Sequence, residues 1–276
     1  MDESRVDPGT YLRQMGQAGE GPHDVALAAL MLAALDHPGT SIAGHAAHLG
    51  EIARAARTET QILTRVEDVA RAIATVMVGQ FRYEGDRLTY DDPQNADLIR
   101  VIERRRGLPV ALGILYIHAA RAAGCQAQGL NTPGHFLIRM ARADREVLVD
   151  PFNGGSAFDR ERLNVPPRTA PAAESERDAV AAVSDADVLL RLQNNLKIRA
   201  SEHGDHARAL VIAERMTWIA PRRADVWFEL AHLSETAGIL GAARAAYVAC
   251  LTIATPGRNL HNEAALALNS LKRKLN

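Results

Sequence analysis

Cysteine is scarce in this sequence: Cys125 and Cys250 are the only two in 276 residues. Two thiols cannot make the disulfide framework of a small secreted domain, and reduced thiols fit a cytoplasmic protein. An excess of one charge is missing too. The formal net charge is -1, and the one tight basic run, Arg104-Arg105-Arg106, is too short to make the basic face of a nucleic-acid binder. The most apolar run, Val25 to Leu35, falls short of the ~20 residues that cross a bilayer, so it reads as a buried helix. No basic stretch leads into an apolar one after Met1-Asp2-Glu3, which gives no secretory signal. Neither G-x-G-x-x-G nor G-x-x-x-x-G-K-[ST] occurs, so nucleotide binding has no motif support. His45 and His48 share a helical face, but the sequence supplies no third ligand, and a metal site takes three or more. No metal, cofactor, nucleic acid or membrane is expected as a partner.

What is present is ordinary globular composition, 47% hydrophobic and 24% charged, in a length that suits one large or two modest domains with ample core. Apolar residues recur at helical spacing from Val25 to Leu35, from Ile42 to Ala56, and from Ile62 to Met77. A polar, turn-rich stretch from Glu84 to Asn95 follows. Val110 to Ala123 is a strongly apolar helix, with proline before it at Pro109 and glycine after it at Gly124, as suits a helix entrance and exit. Three short β-like runs come next, Gln126–Leu130, Phe136–Met140 and Glu146–Val149, with Asn131-Thr132-Pro133-Gly134 and Ala143-Asp144 as their turns. Helix followed by strand meander predicts an α+β core with a small antiparallel sheet.

Val165 to Ser184 reads as a Pro/Ala-rich linker, and beyond it the pattern is helical to the end. Leu196, Gly204, Ala209 and Ala220-Pro221 match Leu230, Gly238, Ala243 and Ala254-Thr255-Pro256 at an offset of about 34 residues, the period of tetratricopeptide repeats. Two repeats and a capping helix fit, with an unrelated helical bundle as the alternative. Expected domain bounds are 1–83, 84–164, 165–184 and 185–276. A helical array of this kind suits a protein or peptide partner, with Asn194, Trp227 and Tyr247 as candidate contacts.

Three segments converge on a possible site: Arg106-Gly107-Leu108-Pro109 at a helix start, Pro133-Gly134-His135-Phe136 at a strand start, and Val149-Asp150-Pro151-Phe152 at a strand end. A cysteine nucleophile sits at a helix amino terminus, where the dipole and an imidazole lower its pKa. The base histidine and its orienting carboxylate then lie on neighbouring strands. That order is present here without the thiol. Cys125 lies at the far end of the helix, roughly 20 Å from Pro109 at 1.5 Å per residue, and reads as a buried structural residue, as does Cys250.

The strings Tyr90-Asp91-Asp92-Pro93-Gln94-Asn95, Arg105-Arg106-Gly107-Leu108-Pro109-Val110-Ala111-Leu112, Gly129 to Leu137 and Asp150-Pro151-Phe152-Asn153-Gly154-Gly155 resemble the SirB-one family. Members of that family join a transglutaminase-like, papain-like core to carboxy-terminal tetratricopeptide repeats. The resemblance runs from about Leu27 to Leu271, in the same domain order. In the wider superfamily the cysteine stands about fifteen residues before the glycine that ends its helix. Here that position is Pro109, while His135 and Asp150 match the base and the orienting acid. Proline has no nucleophilic atom and no backbone N–H. The resemblance therefore implies a non-catalytic binding or regulatory protein. The alternative is a hydrolase in which the residual dyad activates water. Arg106, Gly107, Asn131, Gly134, Phe136 and Asn153 are the candidate lining of the pocket, and a guanidinium of the basic run is placed to recognise a carboxylate.

Overall fold

The structure, a computed structural model, describes residues 7–19, 21–132, 135–158 and 181–275. The chain divides into two compact units, Met1–Tyr11 with Glu20–Leu189, and Leu12–Gly19 with Leu190–Asn276.

In the first unit α2 (Val25–Ala34) starts at Asp24, whose carboxylate accepts the Leu27 N–H at 3.0 Å, a side-chain cap of the usual kind. Nine of its ten residues are buried, so it is apolar all round and belongs to the interior. α3 (Ala43–Thr60) and α4 (Val66–Ala74) follow, and α4 widens into a π-turn over Thr75–Gln80. The reading of Ile62 to Met77 as one helix is corrected at its start. Ile62 lies in the turn between α3 and α4 and is 84% exposed. The helix begins at Val66, with Glu67 and Asp68 in its first turn, where the dipole favours acids.

The stretch read as turn-rich contains a strand, β1 (Glu84–Gly85), and a short 3-10 turn at Pro93–Ala96. α5 (Leu98–Arg104) then ends at Arg105, which takes the left-handed conformation with φ 60°. The next two residues form β2 (Arg106–Gly107), parallel to β1. The basic run is thus split between a helix end, a left-handed residue and a strand, so its three side chains part company.

α6 (Pro109–Ala122) carries Pro109 in its first turn, and Gly124 follows with φ 80°. Its buried positions run all round the helix, which packs on α2, α3 and α4 as well as on the sheet. That sheet is antiparallel, in the order β6-β5-β4-β3-β7. Its strands are β3 (Gln126–Thr132), β4 (His135–Arg142), β5 (Arg145–Asp150), β6 (Ser156–Ala157) and β7 (Ala182–Val183). β7 corrects the last part of the expected linker: Ala182 and Val183 pair with Leu130 and Gly129. Residues 165–180 of that linker lie outside the described residues. Phe136 keys α6 to the sheet. A Cβ added at Gly113 of α6 would come 2.2 Å from its ring, and one at Gly129 of β3 would come 2.9 Å from it. Two glycines therefore make room for one aromatic ring.

Two helices, α1 (Pro8–Ala18) and α7 (Asp185–Glu202), run across the division of the chain. In the second unit α7 leads to α8 (His206–Ile219), α9 (Ala224–Thr236), α10 (Leu240–Ile253) and α11 (Asn259–Leu275). The glycines matched at the repeat offset, Gly204 and Gly238, both take positive φ, 76° and 75°. There each makes the left-handed exit that most residues resist. The matched alanines, Ala209 and Ala243, are fully buried. Tyr247, Cys250, Ala231, Leu268 and Leu271 form the core of this unit. No described helix is long and apolar enough to cross a membrane.

Candidate functional site

At the start of α6 the backbone is extended through Leu108, whose N–H donates to the Asn95 carbonyl at 2.8 Å. Pro109 opens the helix with no N–H to offer. Gly107 is buried against Val101, and its carbonyl accepts the Asp86 N–H at 3.2 Å. The pyrrolidine ring of Pro109 is half-buried.

His135 begins β4, paired with Thr132, whose hydroxyl donates to the His135 carbonyl at 2.7 Å. Side chains alternate along a strand. Since Phe136 points at α6, His135 stands on the other face, with Leu137 and its cluster of Leu130, Leu148 and Phe158. Its ring is exposed and lies 6.2 Å from that of Phe158. Asp150 is 3% exposed and its carboxylate is taken up by its own turn. Oδ1 accepts the N–H groups of Phe152 at 3.0 Å and Asn153 at 3.2 Å, and Oδ2 accepts the Asn153 side-chain amide at 2.6 Å. Gly154 and Gly155 continue the turn at φ 68° and 73°. A Cβ at Gly155 would sit 2.7 Å from the Tyr116 hydroxyl. That hydroxyl is buried without a hydrogen-bond partner, and burial, with the nearby Asp150 charge second, pushes its pKa well up.

The remaining motif residues hold loops together. Asp86, 3% exposed, accepts from the Thr89 N–H and hydroxyl, the Leu88 N–H, and Arg104 at 2.9 Å. Burial alone would raise its pKa; those hydrogen bonds outweigh it and bring the carboxyl down to about 2. Arg104 also donates to the Asn95 side chain at 2.9 Å. Arg105 donates to the Tyr83 hydroxyl at 2.8 Å and to His48 Nε2. Burial, followed by the Arg105 charge, lowers the His48 pKa, and a lone pair kept on Nε2 requires the neutral ring. Arg106 is on the surface, bonded to Glu84 at 2.6 Å. Each guanidinium of the basic run thus has a partner within the chain. Phe152 rests on Gly85, with Tyr90 edge-on at 5.9 Å and the Arg87 guanidinium 5.1 Å from its centroid. Arg87 donates in addition to the Asn153 side-chain oxygen.

Among the predicted lining residues, Phe136 is thus core, Asn153 belongs to the Asp150 turn, and Asn131 pairs with Phe136 in the β3–β4 ladder. Gly134 lies outside the described residues. Cys125 and Cys250 are buried, and burial pushes both thiols up. In the second unit Asn194 is half-buried on α7, and Tyr247 is buried with its hydroxyl donating to Glu235 at 3.0 Å. Trp227 is half-buried and its indole N–H donates to the Pro221 carbonyl at 2.8 Å. Among the described residues no group of three His, Cys, Asp or Glu is placed to hold a metal ion. The sequence reading missed the Asp86–Arg104–Asn95 network. Its signal was present in Asn95 and Arg104, which stand in or beside the quoted strings.

A family model described as the transglutaminase-like superfamily matches residues 44–194. A UPF0162 protein of Xylella fastidiosa is 31% identical over 157 residues, 55% of this chain and 56% of that protein. The chain thus spans little more than half the length of this curated relative. A UPF0162 protein of Pseudomonas aeruginosa is 29% identical over 195 residues, 70% of this chain and 71% of its own length. F-box only protein 21 of Mus musculus is 30% identical over 98 residues, 34% of this chain and 16% of that longer protein. No solved structure matches.

Proposed function

This chain belongs to the transglutaminase-like superfamily, and from that premise we propose that it acts as a non-catalytic member, a recognition or regulatory protein. The observation that carries the reading is Pro109 in the first turn of α6. Thiol acyl transfer needs a nucleophile at that helix end, and proline supplies neither a nucleophile nor an amide for an oxyanion. The Asp150 carboxylate adds support, because its acceptor positions are used by Phe152 and Asn153, not by an imidazole. In this reading the second unit is a short tetratricopeptide-type array that engages a protein partner, and the chain is a SirB-one protein. The 34-residue offset supports that assignment, as do Gly204 and Gly238 at equivalent turns.

A second reading, water activation by His135, draws on the exposure of that ring. Incubation of the purified protein with a glutamine-containing peptide and a primary amine, following ammonia release, separates the two. No release above that of His135→Ala is expected, and turnover abolished by His135→Ala would overturn the proposal. Pro109→Cys extends the test. Its thiol should titrate below the ordinary cysteine range through the α6 dipole, with no change on adding His135→Ala.

A further inference from the structure

A groove of about 570 Å³ opens in the second unit, within the ~300–1,000 Å³ of sites that take organic groups. Leu210 and Trp218 come to it from α8, Trp227 and Leu230 from α9, and Ala242 and Ala245 from α10. Both tryptophans of the chain are therefore in one place. The Trp227 N–H is already bonded to Pro221, so that ring offers the groove carbon surface and no donor. Ala242 and Ala245 are exposed, and side chains this short let an incoming backbone come close. Two charges also line the groove, Arg13 from α1 and Glu214 from α8. The Arg13 guanidinium stands 3.8 Å over the Trp218 ring. Among the described residues neither charge has an ion-pair partner.

A purely apolar ligand would cover the tryptophans and leave both charges unmatched. A helix with apolar side chains at i, i+3, i+4 and i+7, flanked by one acid and one base, matches both the apolar rings and the two charges of the lining. We propose that this groove receives an amphipathic helix of a partner protein, its apolar side chains on Trp218 and Trp227, its acid on Arg13 and its base on Glu214. The proposal rests on reading the array as a recognition module and places that recognition on α8, α9 and α10.

The test is titration of the full chain with a synthetic helical peptide of about 15 residues, leucines at i, i+3, i+4 and i+7, one Glu and one Lys at its flanks. Intrinsic fluorescence reads the groove directly, because no tryptophan lies elsewhere. A saturable change is expected. It should be abolished by Ala245→Arg, and Arg13→Glu should weaken it about tenfold. A peptide carrying Lys in place of Glu should restore binding to Arg13→Glu. Both altered positions are exposed, and unchanged circular dichroism checks that each variant folds. No fluorescence change, or binding indifferent to Ala245→Arg, overturns the groove and leaves recognition to other faces of the array. Turnover of a glutamine peptide would instead overturn the recognition reading and leave the measured groove affinity standing.

Discussion

The two units solve the burial of polar groups in opposite ways. In the second, Ser234 donates to the Leu230 carbonyl, Thr217 to the Glu214 carbonyl and Arg199 to that of Asn195. Each bond returns to its own helix within one turn. The Lys197–Glu229 ion pair, from α7 to α9, reaches farther. In the first unit Asp86 is held by Arg104, His48 by Tyr83 and Arg105, and Arg121 spans from the Ala127 carbonyl to Asp185 at 2.7 Å. Most of those bonds join distant stretches of chain, and one member, Arg105, belongs to a string that carries the resemblance. Arg104 and Arg105 thus fasten separate loops of the first unit, whereas most of the bonds named for the second unit stay within one helix. A substitution that deletes one long-range partner should therefore cost more than any local change in the array.

The comparison breaks first, if it breaks, at Asp86. Asp86→Ala removes the acceptor for Arg104 and three other donors and should destabilise the first unit by about 3 kcal/mol. Amide exchange in α6 reports that unit, while tryptophan fluorescence reports the second. Equal losses by both probes would show that the network is not local to its unit.

One substitution made twice sharpens the contrast. Gly113→Ala puts a methyl 2.2 Å from Phe136 and should cost about 2 kcal/mol, although alanine is the better helix former. Gly241→Ala in α10, where an added Cβ meets nothing within 4 Å, should gain about 0.5–1 kcal/mol. Urea unfolding of the two variants decides, and a loss at both positions would mean that the array is as tightly fitted as the core.

The smallest effect expected is with pH. The His48 pKa is lowered in the folded protein, so the unfolded chain takes up the proton first. The stability this residue contributes is complete above the ordinary histidine value near 6.5 and declines as the pH falls below it. The protection of α6 amides, taken relative to their intrinsic exchange rate at each pH, should fall as the pH drops below about 6.5, less so in His48→Gln. The same pH slope in both proteins would exclude His48 as the cause.

Helices were legible wherever apolar spacing alone decides them. Val25–Ala34 and Pro109–Ala122 lie within a residue or two of their sequence reading, and the stretch read as helical to the end is helical in α8 to α11. The β3–β5 meander was legible too, because its turns carry glycine, proline and aspartate at the required places. α1 was not read, though Asp7 before Pro8 is a good start signal and Asp7 accepts the Thr10 N–H at 2.7 Å. β1, β2 and β7 are two residues each and exist only through partners distant in sequence, so no local period announces them. At the site, Pro109 at the opening of α6 followed from the proline before and the glycine after one apolar helix. The facing of His135 did not follow, because it depends on the β4 register, which the fit of Phe136 between two glycines fixes.

That fit also sets a clock. A phenyl ring turns about its Cβ–Cγ bond only when its neighbours draw back, and close-packed interiors give such room rarely. Phe136 has the α-carbon of Gly113 on the helix side and that of Gly129 on the strand side, with Val188 packed against the same glycine. Rotation of this one ring therefore keeps time with the breathing of α6 away from its sheet, and the exchange of its two edges in a magnetic resonance spectrum measures how often the centre of the first unit comes apart.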